Sequence, residues 1–88
     1  MRIRTENVTW QEIDGELVIL DLQTSAYLTT NAVGTALAKY LTEERTAADL
    51  TTFLMSTYDI DEQTALQDSQ AFVDQLRSKS LLIDLETG

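Results

Sequence analysis

Apolar and polar positions alternate with a period of two over the first third of the chain, and of three to four thereafter. Val8-Thr9-Trp10-Gln11-Glu12-Ile13 sets Val8 and Trp10 on one face of a strand. Asp14-Gly15 follows, a two-residue hairpin signal in which both positions tolerate positive φ. Leu17 to Leu22 is a nearly continuous apolar run, predicting a central strand covered at least partly on both faces. Gln23-Thr24-Ser25 supplies turn chemistry, and Ser25 to Thr29 reads as a third, shorter strand. This is an antiparallel meander. Natural edge strands are blunted by Lys, Pro or a covering element, yet residues 26–29 carry neither charge nor proline. No later run is clearly their partner. Such an edge is suited to docking an extended segment.

The helical period begins at Thr30 or Asn31, either of which can cap a helix carrying Val33, Leu37, Tyr40 and Leu41, with Lys39 in its last turn. Thr46 and Asp49 have the spacing of a capping box, with Asp in place of Glu, ahead of Leu50, Phe53 and Leu54. Asp61 is the cap expected for a long third helix from about Glu62 to Lys79, its inner stripe being Leu66, Ser69, Phe72, Val73 and Leu76. Leu81-Leu82-Ile83 predicts an apolar tail folded back on the domain, while Met1 to Asn7 reads as polar and loose. Three strands followed by three helices predict an α+β fold with the helices on one face of the sheet. No linker or repeat is visible, so residues 1–88 form a single domain with its core in 8–83.

Composition narrows the chemistry. The chain has neither Cys nor His, which removes thiolate chemistry, the commonest general base and the commonest metal ligand together. No cofactor or metal is expected. With 15 acidic residues against 6 basic and a net charge of −9, phosphate contacts are disfavoured. The third helix holds Glu62, Asp68 and Asp74 against Arg77 and Lys79, so it would repel DNA as a winged-helix recognition element. There is no secretory h-region and no apolar run long enough to cross a bilayer, which makes the cytoplasm the expected compartment and excludes a membrane partner.

The remaining motifs have plain structural readings. Asp59-Ile60-Asp61-Glu62 lacks the glycine and the closing acidic ligand of a calcium loop, and helix capping accounts for it. Asp68-Ser69-Gln70 resembles the attachment site of acyl or peptidyl carrier domains, but those are all-helical, and Ser69 falls within an apolar stripe. Glu43-Glu44 and Asp59/Asp61 lie in connections, without the burial that tunes a catalytic carboxylate. Nothing pairs a nucleophile with a base, so no enzyme activity is expected.

The ordered set Trp10, Asp14-Gly15-Glu16-Leu17-Val18-Ile19-Leu20-Asp21-Leu22 and Ser25-Ala26-Tyr27-Leu28-Thr29-Thr30-Asn31-Ala32-Val33-Gly34 resembles the PqqD-like domains. Arg45-Thr46-Ala47-Ala48-Asp49-Leu50, the break at Tyr58-Asp59-Ile60-Asp61, and Phe72-Val73-Asp74-Gln75-Leu76 with Leu81-Leu82 continue the same frame. These domains are recognition elements for ribosomally made, post-translationally modified peptides. A freestanding copy is most similar to the leader-binding protein of the split lasso-peptide B system. The family frame usually has Gly at the position of Ser25 and often an aromatic at Ala26.

The resemblance implies a winged-helix-like fold and a leader peptide added antiparallel to the third strand, in the groove against the last helix. Main-chain bonds from Ser25, Ala26, Tyr27, Leu28 and Thr29 would supply affinity, and pockets near Leu20, Leu28, Phe72 and Leu76 would supply specificity. Asp68, Gln75 and Lys79 would rim the groove, with Asp68 facing a basic leader residue. Implied partners are the precursor leader, a transglutaminase-like cysteine peptidase that removes it, and a cyclase. The alternatives are a PqqD-type peptide chaperone serving a radical enzyme, and the carrier-type domain loaded at Ser69.

Overall fold

Asp14 and Gly15 both adopt positive φ, 54° and 80°, as a two-residue turn between right-twisted strands requires. The turn joins two strands of equal length within a computed structural model that describes residues 1–84. In chain order the elements are β1 (Arg2–Ile3), β2 (Val8–Ile13), β3 (Glu16–Asp21), β4 (Tyr27–Thr29), α1 (Ala32–Tyr40), α2 (Ala47–Tyr58), α3 (Glu62–Ser78) and β5 (Leu82–Ile83). The strands expected first, second and third from the sequence are β2, β3 and β4. They form an antiparallel sheet in the order β2-β3-β4, and the three helices follow.

Register decides which side chains face inward. Trp10 lies opposite Ile19, and Ile19 opposite Leu28, so the three form one row across the sheet. Leu17, Ile19 and Leu28 are buried there, joined in one core by Leu37, Leu50, Leu54, Phe72 and Leu76 from the helices. No described element covers the other face, where Leu20, Leu22 and Tyr27 are exposed. The expectation that the second strand is covered on both faces is therefore corrected. All three helices stack on one side, and the run Leu17–Leu22 contains outward positions that happen to be apolar.

The helix caps follow the sequence closely. Asn31 caps α1, its side chain accepting from Gly34 N–H at 2.9 Å, while Thr30 is buried and shares a 2.9 Å hydrogen bond with Thr35. Thr46 and Asp49 complete the capping box of α2, and Asp61 accepts from Thr64 N–H at 2.8 Å to start α3. The inner stripe of α3 is Ala65, Ser69, Phe72, Val73 and Leu76. Leu66, expected in that stripe, is 41% exposed instead. Ala65 is in phase with Ser69, Phe72 and Leu76, and its neighbour is rotated about 100° away from them.

The amino-terminal segment is not loose. Ile3 pairs with Leu82 and Arg2 with Ile83 in a second, two-stranded antiparallel sheet, and Met1 and Ile3 are buried. Ile3 N–H also donates to the Leu41 carbonyl and Arg45 N–H to that of Met1, both at 2.8 Å. The apolar tail folds back on the domain as the sequence predicts, with Leu81 buried. Arg4 then ties this small sheet to the larger one, donating to the Ser80 carbonyl at 3.2 Å and pairing with the buried Asp21.

Candidate functional site

The free edge of β4 is specified by hydrogen-bond parity. Asp21 N–H donates to the Ala26 carbonyl at 2.8 Å and Thr30 N–H to the Leu17 carbonyl at 2.9 Å. With Ile19 opposite Leu28, bonded pairs alternate along the ladder, so the amide and carbonyl of Leu28 face β3. Those of Tyr27 and Thr29 face away from it. β4 pairs with no strand on that side among the described residues.

The turn into β4 is built by Asp21. One carboxylate oxygen accepts from Gln23 N–H at 2.9 Å and the other from Arg4. The Gln23 amide, followed by the Arg4 guanidinium, holds this carboxyl below its ordinary pKa. Ser25 N–H returns to the Asp21 carbonyl at 2.8 Å, which leaves Ser25 and Ala26 together opposite Asp21. This is a bulge whose first residue is left-handed, and Ser25 has φ of 64°. The geometry suits a residue without Cβ, which is what the resembled frame usually carries at this position. The third strand accordingly starts at Tyr27, with Ser25 and Ala26 in the turn.

Beside the free edge lies a groove of about 290 Å³ between the β4–α1 junction and α3. It is lined by Thr29, Thr30, Asn31, Val33, Gly34, Leu37, Asp68, Ala71, Phe72 and Gln75. Of the residues singled out in the sequence, Thr29, Asp68, Phe72 and Gln75 lie along it together. Leu28 and Leu76 are core side chains, 7% and 0% exposed, and neither lines the groove. Leu20 and Tyr27 lie opposite each other on the outer face of the sheet, turned away from the helices. Lys79, the exposed C-cap residue of α3, lies one turn beyond Gln75.

The α1 side of the groove was missing from the sequence reading. Its signal was Gly34, a glycine inside a helical pattern. A Cβ there would lie 2.8 Å from the Thr30 Cβ and 3.3 Å from a Phe72 ring carbon. That close approach lets α1 settle against the Phe72 ring at the groove floor. Ser69, by contrast, is 3% exposed and its Oγ donates to the Leu66 carbonyl at 3.1 Å, which leaves no accessible hydroxyl for a prosthetic arm.

An antiparallel meander followed by three helices, with an open strand edge beside a helix-walled groove, is the winged-helix-like architecture of the PqqD-like domains. The family model described as coenzyme PQQ synthesis protein D (PqqD) matches residues 16–82, and the chain belongs to that family. Among solved structures, TbiB1 in complex with the TbiA(beta) leader peptide is 30% identical, with a TM-score of 0.82 over 98% of this chain and 99% of that one. A lasso peptide synthetase B1 complexed with the leader peptide is 24% identical, with a TM-score of 0.77 over 94% and 96% of the two chains, a likeness of fold. No curated protein matches the sequence. Within the family, the resemblance is to the recognition element of the lasso-peptide B system.

Proposed function

We propose that this chain binds the leader region of a ribosomally synthesised precursor by strand addition to β4, in the groove against α3, and delivers it to a leader peptidase and a cyclase in lasso-peptide biosynthesis. The observation that carries the reading is the open Tyr27–Thr29 edge adjoining the groove, in a chain 30% identical to TbiB1, itself solved with a leader peptide. Two amides and two carbonyls, from Tyr27 and Thr29, are turned toward the incoming strand. Each main-chain bond contributes about 0.5–1.5 kcal/mol net and is indifferent to leader sequence. Side chains seated in the groove supply the selection.

The chain performs no chemistry in this scheme. Holding a disordered precursor beside the peptidase raises its effective concentration, and that is the catalytic benefit. The peptidase in this scheme is a transglutaminase-like cysteine protease. The family's description in terms of coenzyme PQQ synthesis favours a second reading on the same site, a chaperone that presents its precursor to a radical enzyme. Neighbouring genes separate the two: a peptidase and an asparagine-synthetase-like cyclase in one case, a radical enzyme in the other.

The direct test is fluorescence polarisation with labelled leader, core peptide and a DNA duplex, using the precursor encoded by the adjacent short reading frame. Saturable binding of leader alone is expected. Preferential binding of core peptide or DNA would overturn the proposal.

A further inference from the structure

We infer that Asp68 and Lys79 read the charge order of the docked peptide, selecting a Lys or Arg about five residues ahead of an Asp or Glu. This rests on the docking reading above and adds to it a polarity and a spacing. Among the described residues, Asp68 is the one ionisable side chain that lines the groove. It is exposed, makes no ion pair or side-chain hydrogen bond among the described residues, and has no basic residue within four positions along α3. The basic side chains Arg2, Arg4, Lys39, Arg45 and Arg77 are each committed to a carboxylate elsewhere. A cationic residue of the bound peptide would supply the neutralising partner that the groove lacks among the described residues.

Direction follows from how α3 lies against β4. Arg4 joins the Ser80 carbonyl to Asp21, and Asp21 sits opposite Ala26, so the C-terminal end of α3 lies by the start of β4. The Phe72 ring lies under Gly34, just past the end of β4. α3 therefore runs antiparallel to β4. A peptide antiparallel to β4 runs parallel to α3, and meets Asp68 before Lys79.

Residues 68, 72, 75 and 79 are spaced by four, three and four, which keeps them on one helical stripe. Asp68 and Lys79 are eleven residues apart, so about 16 Å of helix separates them. At about 3.3 Å per residue, a strand covers that length in about five residues. Reversing the peptide would set like charges together at both ends. The pair thus fixes the docking direction of a peptide that carries this charge order.

The experiment is a selection of random 15-residue displayed peptides against the immobilised full chain, in parallel with the Asp68→Lys/Lys79→Glu double variant. Both positions are exposed, so circular dichroism of the variant should match the parent. Parent-selected peptides are expected to carry basic residues about five positions before acidic ones, and variant-selected peptides the opposite order. The best parent-selected peptide should lose about three- to tenfold affinity to Asp68→Asn at low salt and less than about twofold at 0.5 M NaCl. Amide exchange then separates the two ways of failing. Peptides that protect Tyr27 and Thr29 amides but show no charge order, or the same order on both proteins, overturn this inference alone. Peptides that leave those amides unprotected overturn the docking reading beneath it.

Discussion

Tyr27 and Leu28 are neighbours on β4 with opposite jobs, which makes single residues informative. Tyr27 points its amide to the free edge, whereas Leu28 points its amide to β3 and its side chain into the core. Proline at Tyr27 removes a donor from the docking edge and is expected to lower leader affinity about two- to tenfold, in polarisation titrations of a protein whose circular dichroism is unchanged. Proline at Leu28 breaks the domain's own ladder and is expected to lower its melting temperature first. Leu28→Lys fails as a probe of the groove, because it buries a charge in the core. Ser25 is strained in the left-handed region at φ 64°. Ser25→Gly is expected to stabilise by up to about 1 kcal/mol in urea unfolding, since relief of the αL penalty exceeds the added chain entropy. At Gly34 the balance runs the other way. Ala favours helix by about 1 kcal/mol, but its Cβ would meet the Thr30 Cβ at 2.8 Å. Gly34→Ala is expected to weaken both stability and leader binding by shifting α1 off Phe72.

At the scale of elements, the unforeseen partnership is β1 with β5. Ile3 is fully buried within it and also bonds Leu41, so the amino-terminal segment closes the far side of the core. Ile3→Ala is expected to cost about 2–5 kcal/mol, read as a shift in the urea midpoint without a change in slope. A loose segment would tolerate the change. The pairing was hard to read because each strand is two residues long and its partners lie far apart in the chain, Arg2 and Ile83 by 81 positions. The meander and the helix caps were legible because turn, cap and periodicity signals are local. The free edge was legible through missing features, charge and proline, rather than through a motif. What stayed hidden was the α1 wall of the groove, since Thr30, Val33 and Leu37 follow the same helical period whether they line a cleft or fill a core.

For the whole molecule, pH ties the two sheets together. Asp21, Asp49 and Asp61 all have pKa values lowered below 3.8, each chiefly by a backbone amide: Gln23, Thr46 and Thr64 respectively. A carboxylate whose folded pKa is lowered contributes stability fully present above its unfolded pKa and lost as pH falls through the folded value. Stability is therefore expected to hold down to about pH 4 and decline below it, monitored by urea unfolding at stepped pH. The sequence pI is about 4.1, so net-charge repulsion is smallest where this decline begins and cannot produce its onset. Asp21→Asn is expected to lower stability at about pH 7 and to flatten the decline below about pH 4, because it removes one of the lowered carboxylates together with its pairing to Arg4.

The amino-acid sequence by itself determined the order of the meander and the three helices, the turn at Asp14-Gly15, the caps at Thr46 and Asp61, the cap of α1 to within one residue, and the unguarded third strand. Each depends on residues within about four positions of one another, where backbone preference and hydrogen-bond chemistry act without help. Only the tertiary structure decided which face each apolar residue serves. Leu20 and Leu28 are equally apolar and belong to paired strands, yet one is turned to solvent and the other into the core. That choice is set by register and by the side on which the helices pack. It likewise took the fold to bring Thr29, Gly34, Asp68 and Phe72 around one groove, because closing the loops between them requires the whole core to form.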